Sequence, residues 1–388
     1  MEFSLTPESQ AIRDNVGKVC ADFADDYWLE HDRTGEFPEA FYQAMAKGGW
    51  LGITLPEAYG GSGLGVIEAA VMMHAVAGSS GAMSAASGIH IHIFGANPIV
   101  VFGAEEQKAR WLPDLAQGKI RPCFGVTEPD AGLDTGNLTT KAERNAKGYV
   151  VHGKKIWTTT ARQADKIMLL ARTTPREDCK RPTDGLSLFY TDLDRDYCDV
   201  REIDKMGRKA IDSNEVFIDG LPIALDERIG EEGKGFQYLL HSLNPERTVI
   251  GIEAVGIGQN ALARATQYAK DRVVFGRPIG QNQAVQHPLA RNWMELRAAY
   301  LMAMYAAQLY DSGKPCGPEA NAAKYLGAEA GFAACTQAVM THGGMGYAKE
   351  FHVERLMREV MIARIAPVSP ALILCHIAEK VLGLPKSY

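Results

Sequence analysis

Asn244-Pro245-Glu246-Arg247 puts a carboxylate and a guanidinium side by side at what reads as the start of a helix. Asn suits the N-cap, Pro the first helical position and Glu the first turn. A glutamate there steadies any helix through its dipole. The same carboxylate becomes a general base if apolar surroundings raise its pKa toward neutrality. Other residue types offer less. His31, His74, His90 and His92 are metal ligands by type alone, and His90 and His92, two apart, share no helical face. Seven cysteines are scattered without a CxxC pair, so neither a disulfide framework nor a zinc site is indicated. Their odd number fits a reducing compartment.

The elements that must hold Glu246 fall into three regions. At 388 residues the chain exceeds one compact core, and two or three domains are expected. A hydrophobic fraction of 46% with 23% charged residues is that of a soluble globular protein, and a net charge of −6 argues against nucleic-acid binding. Met1-Glu-Phe-Ser-Leu-Thr-Pro is not a secretory signal or an Arg-rich transit lead. No apolar run is read as reaching membrane-spanning length. A cytoplasmic location is expected, or the mitochondrial matrix if a leader has been removed.

The fold class is α+β, with an N-terminal helical domain over 1–120, a β domain over 121–235 and a C-terminal four-helix-type bundle over 236–388. Thr6-Pro7 caps a first helix bearing Ile12, Val16, Val19 and Phe23 at three-to-four spacing. Further helices are expected at 38–47, 66–78 and 85–102, and another around Trp111. Then come short strands, Phe124–Val126, Tyr149–Val151, Lys155–Thr160, Ile167–Ala171, Leu186–Tyr190 and Glu215–Ile218. Turn pairs such as Lys147-Gly148 and Asp184-Gly185 separate them. They read as a small barrel or sandwich. A short helix over 237–243, a long one over 245–271, and helices over 282–311, 318–341, 350–364 and 370–382 complete the pattern. Their Ala and Gly at helical spacing favour close packing.

Five stretches, in one order along nearly the whole chain, resemble the acyl-CoA dehydrogenase family. They are Val126-Thr127-Glu128-Pro129-Asp130-Ala131-Gly132, Gly153-Lys154-Lys155-Ile156-Trp157-Thr158-Thr159, Lys205-Met206-Gly207, Arg272 to Gln283 with Phe275-Gly276-Arg277, and His342-Gly343-Gly344-Met345-Gly346-Tyr347. The resemblance implies FAD held between the β domain and the bundle, in a homotetramer built as a dimer of dimers. It implies that Trp157 walls one face of the isoalloxazine. Phe124, Val126, Thr127, Thr159 and Ser369 match positions near the flavin, and Arg272, Phe275 and Gln283 match a segment that reaches a neighbouring subunit's FAD. An Arg suits a pyrophosphate as a fixed charged fork. Gly343 and Gly344 would let backbone approach the dinucleotide.

The implied reaction is α,β-dehydrogenation of an acyl-CoA, with electrons passing to an electron-transfer flavoprotein. Many family members carry the base in a Tyr-Glu-Gly-Thr stretch, which corresponds here to Ala366-Pro367-Val368-Ser369. Proline cannot be a base. A second group, including the isovaleryl-CoA and long-chain types, places it where Glu246 stands, and Arg247 resembles an arginine that contacts the CoA portion. Two residues depart from the pattern. Leu133 replaces a serine, and Pro367 replaces a residue whose N–H helps to hold the thioester oxygen. Losing one such donor costs on the order of 10²-fold in rate. The small Ala366-Pro367 pair implies room for a branched or bulky acyl group. An oxidase, a desulfinase and a catalytically silent acyl-CoA-binding protein stand as alternatives.

Overall fold

The structure, a computed structural model, describes residues 5–387. The N-terminal region is helical: α1 (Pro7–Ala21), α2 (Asp25–Thr34), α3 (Glu39–Lys47), α4 (Val66–Ala77), α5 (Ala82–Ile89), α6 (Ile91–Phe94), α7 (Asn97–Phe102) and α8 (Glu105–Ala116). Thr6 caps α1, its Oγ1 accepting from Ser9 N at 3.1 Å. The single helix expected over 85–102 is three short ones. Gly95 weakens the helix, and Pro98 has no N–H for the carbonyl four residues back.

The middle region has β1 (Pro122–Gly125), β2 (Lys141–Arg144), β3 (Gly148–Thr159), β4 (Lys166–Arg172), β5 (Leu186–Asp192), β6 (Cys198–Glu202), β7 (Ser213–Ala224) and β8 (Arg228–Ile229). They form one mixed sheet in the order β6-β7-β3-β2-β4-β5-β8, with β1 parallel to β4. The sheet forms the middle β domain expected from the sequence, with β6 at one edge and two-residue β8 at the other. One side packs Val151, Ile167, Phe189 and Ile218. The other receives Trp111 and Leu112 of α8.

The C-terminal region comprises α9 (Gly235–Asp271), the hairpin β9 (Val273–Val274) and β10 (Arg277–Pro278), then α10 (Gln283–Asp311), α11 (Gly317–His342), α12 (Val353–Ile365) and α13 (Pro370–Lys380). Helices α9 and α11 touch backbone to backbone. A Cβ on Gly251 would come within 2.6 Å of the Ala323 carbonyl, and one on Gly327 would overlap the Gly251 carbonyl. The main core lies between these helices and the N-terminal set, joining Val16, Trp28 and Phe41 to Val249, Ile252 and Leu356.

Two expectations are corrected. Asn244 is not an N-cap, and there is no break between 243 and 245. Helix α9 runs through Pro245 for 37 residues. Tertiary contacts hold the turns before the proline. Gly235 lies against the Ser187–Leu188 backbone, and Leu239 and Ser242 are buried. The lost Pro245 donor leaves only the His241 carbonyl unpaired, on an exposed residue. Apolar stretches of membrane-spanning length also exist. Ala82–Phe102 is 78% buried in the core, while Val353–Lys380 is 22% buried and is split by residues 366–369 into α12 and α13.

Candidate active site

Glu246 is the twelfth residue of α9, beyond the first turn where the helix dipole acts. That removes the stabilisation expected for its charge and leaves burial dominant. Burial pushes the carboxyl up to about 7; Arg247 opposes the rise, and Glu253, two turns on along the same face, adds to it. Part of the side chain still reaches solvent. A half-protonated, partly accessible carboxylate near neutrality is suited to accept a proton from carbon.

Arg247 Nη1 donates to Asn244 Oδ1 at 3.2 Å, and its Nε is buried without a protein partner. Beside it lies Lys324, fully buried, whose charge Arg247 also feels. Burial pushes Lys324 down to about 8. Its Nζ donates to the Val368 carbonyl at 2.7 Å. The lysine thereby ties α11 to the Ala366-Pro367-Val368-Ser369 turn. Pro367 has no N–H, and Val368 N–H has no acceptor among the described residues. Ser369 caps α13, its Oγ accepting from Leu372 N at 3.3 Å.

The β domain supplies a second surface. A bulge interrupts the β3–β7 pairing between Lys155 and Thr158. Bulges re-aim side chains, and Trp157, at φ 61, stands 54% exposed there. Thr127 adjoins it, its carbonyl accepting from Ile156 N at 2.9 Å. Thr159 pairs with Ser213 and Thr158 with Asn214, and Thr158 Oγ1, Ser213 Oγ and Asn214 Oδ1 are buried without partners. An open indole beside unpaired polar atoms fits a planar ring with a polar edge. Val126 is partly exposed, and Phe124 packs edge-on to Phe94 of α6, ring centroids 6.3 Å apart. Leu133 is exposed on the loop after β1.

Beneath Trp157 is a pair that sequence reasoning passed over. Lys155 Nζ donates to Glu128 Oε1 at 2.9 Å and to the Val126 carbonyl at 3.1 Å. Burial alone would raise the Glu128 carboxyl, but Lys155 and hydrogen bonds from Thr139 and Thr140 outweigh it and hold it at about 2. The pair fixes the 126–128 strand end against β3. Its signal was a lysine and a glutamate inside two motifs, legible only once the strands were paired.

The remaining candidates lie elsewhere. Arg272 follows α9, roughly 39 Å along the helix axis from Glu246 at 1.5 Å per residue. Phe275, fully exposed at φ 53, forms the hairpin tip, and Gln283 opens α10. Gly343 and Gly344 join this end, where His342 stacks on Tyr268 with ring centroids 4.2 Å apart. Neither glycine has an atom within 4 Å of an added Cβ. These residues therefore lie together at the far end of α9 from Glu246.

An exposed indole on a sheet and a buried carboxyl with a raised pKa on a bundle are groups that a flavin-dependent dehydrogenase can use. The chain belongs to the acyl-CoA dehydrogenase family. Residues 6–119, 123–221 and 233–373 match that family's N-terminal, middle and C-terminal domains. The acyl-CoA dehydrogenase FadE12 of Mycobacterium tuberculosis is 35% identical over 398 aligned positions, covering 100% of this chain and 99% of that protein. Butyryl-CoA dehydrogenase from Megasphaera elsdenii superposes with a TM-score of 0.93 at 29% identity, covering 98% of this chain and 100% of the other. A structure from work on the electron transferring flavoprotein of Acidaminococcus fermentans and flavin-based electron bifurcation gives 0.91 at 29% identity, with 98% and 100% covered. The protein is an FAD-dependent oxidoreductase of acyl-CoA thioesters.

Proposed function

We propose that Glu246 removes the α proton of an acyl-CoA whose β hydrogen leaves as hydride. Bound FAD supplies the hydride acceptor, N5 of its ring. The observation that carries the assignment is the buried Glu246 carboxyl at about 7, on the helix that packs against α11, whose Lys324 holds the 366–369 turn. Trp157 packs one flavin face and Thr127 and Thr159 meet its polar edge. Arg247 directs its unpaired Nε toward the CoA portion. Val368 N–H, held in place through its own carbonyl by Lys324, takes the thioester oxygen in place of the amide that Pro367 lacks.

The small Ala366-Pro367 pair supports a branched or bulky acyl group. Likeness to the chain from the Acidaminococcus work supports an electron-transfer flavoprotein as acceptor. A homotetramer is supported by exposed Phe275, Trp293, Met294, Met340 and Tyr347. The separation of Glu246 from the far end of α9 supports pairwise completion, with Arg272, Phe275, Gln283, Gly343 and Gly344 of one subunit closing the FAD site of another. Seven unpaired cysteines support a cytoplasmic setting. The test is anaerobic addition of a panel of straight and branched acyl-CoAs to purified protein. Flavin bleaching with stoichiometric enoyl-CoA is expected. Oxygen consumption in air would instead identify an oxidase, and a protein that no acyl-CoA bleaches would contradict the reading.

A further inference from the structure

Arg358 joins all three regions of the chain. It lies on α12, and every N–H of its guanidinium is engaged. Nε donates to Glu354 Oε2 at 2.6 Å, one turn back on the same helix. Nη1 donates to Asp32 Oδ1 at 3.1 Å and to the Met206 carbonyl at 2.9 Å. Nη2 donates to Asp32 Oδ2 at 2.8 Å and to Glu354 Oε1 at 3.0 Å. Asp32 is buried on α2 of the N-terminal region, and Met206 belongs to the loop 203–212 between β6 and β7. One side chain of the bundle thus grips the N-terminal region by a two-pronged ion pair and the β domain by a backbone carbonyl.

The loop meets α12 through its backbone. The Met206 side chain is 54% exposed. A Cβ on Gly207 would lie 2.7 Å from the Arg358 carbonyl oxygen, 2.9 Å from its carbon and 3.1 Å from Glu359 N. Only a residue without a side chain fits so close an approach. Arg208, next along, donates from Nη1 to Ser87 Oγ of α5 at 3.0 Å. Helix α12 is pinned in its turn. Arg355 Nη2 donates to the Ser80 carbonyl at 2.6 Å, and Glu359 accepts from Ser84 N and Oγ at 2.9 and 2.8 Å. Lys205-Met206-Gly207 is therefore where the β domain rests on α12.

Buried ion pairs rarely outdo well-packed apolar residues for stability. What the planar fork of an arginine does fix is the arrangement of its partners. The arrangement fixed here spans the reaction centre. Trp157 stands on the β domain, and Glu246 and the 366–369 turn belong to the bundle. Helix α12 runs from Arg358 to Ile365 and delivers that turn, roughly 10 Å further on at 1.5 Å per residue. Its Leu356 packs in one core with Val249 and Ile252 of α9, the helix of Glu246.

We propose that Arg358 is a positioning residue that sets the spacing between the β domain and the bundle for hydride transfer, with Gly207 as the contact it holds closed. The proposal rests on the acyl-CoA reading above. A displaced junction leaves each region able to hold its own ligand but separates the two. Alanine at 207 needs about 0.7 Å more room to turn 2.7 Å into an ordinary 3.4 Å contact. A misplacement of about 1 Å, even from a change far from the chemistry, costs on the order of 10²-fold in rate.

The test compares holoenzyme of wild type, Gly207→Ala, Arg358→Lys and Val16→Ala. Arg358→Lys keeps a cation for Asp32 and Glu354 but lacks the fork. Val16→Ala truncates a buried core residue of α1 and controls for lost stability. Each is read for FAD per chain, Tm and single-turnover anaerobic flavin reduction, over a range of concentrations of the acyl-CoA that bleaches wild type fastest. Gly207→Ala is expected to lose on the order of tenfold or more in limiting rate, with FAD content and half-saturating concentration near those of wild type. Arg358→Lys shows the same split to a smaller degree, and Val16→Ala lowers Tm while keeping the rate. The proposal is overturned, and the acyl-CoA reading stands, if both junction variants keep the wild-type limiting rate. The same holds if only the half-saturating concentration changes, or if Val16→Ala loses rate in equal proportion to Tm. Bleaching by no acyl-CoA overturns both.

Discussion

Glu246→Gln gives a stability signature whose sign follows from the site. Burial holds the Glu246 carboxyl at about 7, against 4.5 for an ordinary glutamate, with Glu253 adding to the rise and Arg247 opposing it. The folded protein binds this proton more tightly than the unfolded chain does. The stability linked to it is therefore complete below about pH 4.5 and is lost as pH rises through 7. The gap is worth about 3 kcal/mol in full, and roughly 2–3 of that falls between pH 5 and pH 8. Gln carries no charge and escapes the loss, so the variant gains on the wild type as pH rises. A chain of 388 residues unfolds with about 0.8 kcal/mol per degree, which makes the relative gain about 3 °C in Tm. Paired thermal melts of wild type and variant, without substrate, at half-unit steps from pH 5 to pH 9, read it directly. A Tm difference that stays flat, or one that favours the wild type at high pH, would refute the claim that Glu246 sits in a desolvating site.

Three further substitutions probe other parts. Lys324→Met removes the tie to the Val368 carbonyl; flavin content should hold while bleaching by acyl-CoA slows on the order of 10²-fold, as for a lost oxyanion donor. Lys155→Met strands buried Glu128 and should cost about 3–5 kcal/mol, read as a Tm drop of several degrees; Glu128→Gln in the same chain should recover part of it. Arg272→Ala combined with Phe275→Ala should weaken FAD retention through dialysis and shift the assembly toward smaller species by light scattering, with Trp157 unaltered.

Much of this site was legible in the sequence because its motifs coincide with element boundaries. Thr127 lies two residues past β1, Trp157 falls where β3 bulges, and Gly343-Gly344 follows α11, so residue type and local geometry agree there. The Asn244-Pro245 start was misread for the same reason. Those residues are good capping types, and only the packing of Gly235, Leu239 and Ser242 against other elements carries the helix through them. Of the two opposing effects expected on Glu246, the helix dipole drops out and desolvation is left. Pairs distant in the chain were not legible: Lys155 with Glu128, Lys324 with Val368, His90 with Glu253. Nothing local marks those partners, since each is created by strand register or helix contact.

The most direct test of the central claim is single-turnover flavin reduction by the best acyl-CoA of the panel, under anaerobic conditions, in wild type and in Glu246→Gln with equal FAD content. A positioned base contributes typically 10²–10⁴-fold. The account predicts a loss of at least that size, with acyl-CoA still bound. Reduction of Glu246→Gln at the wild-type rate would contradict it.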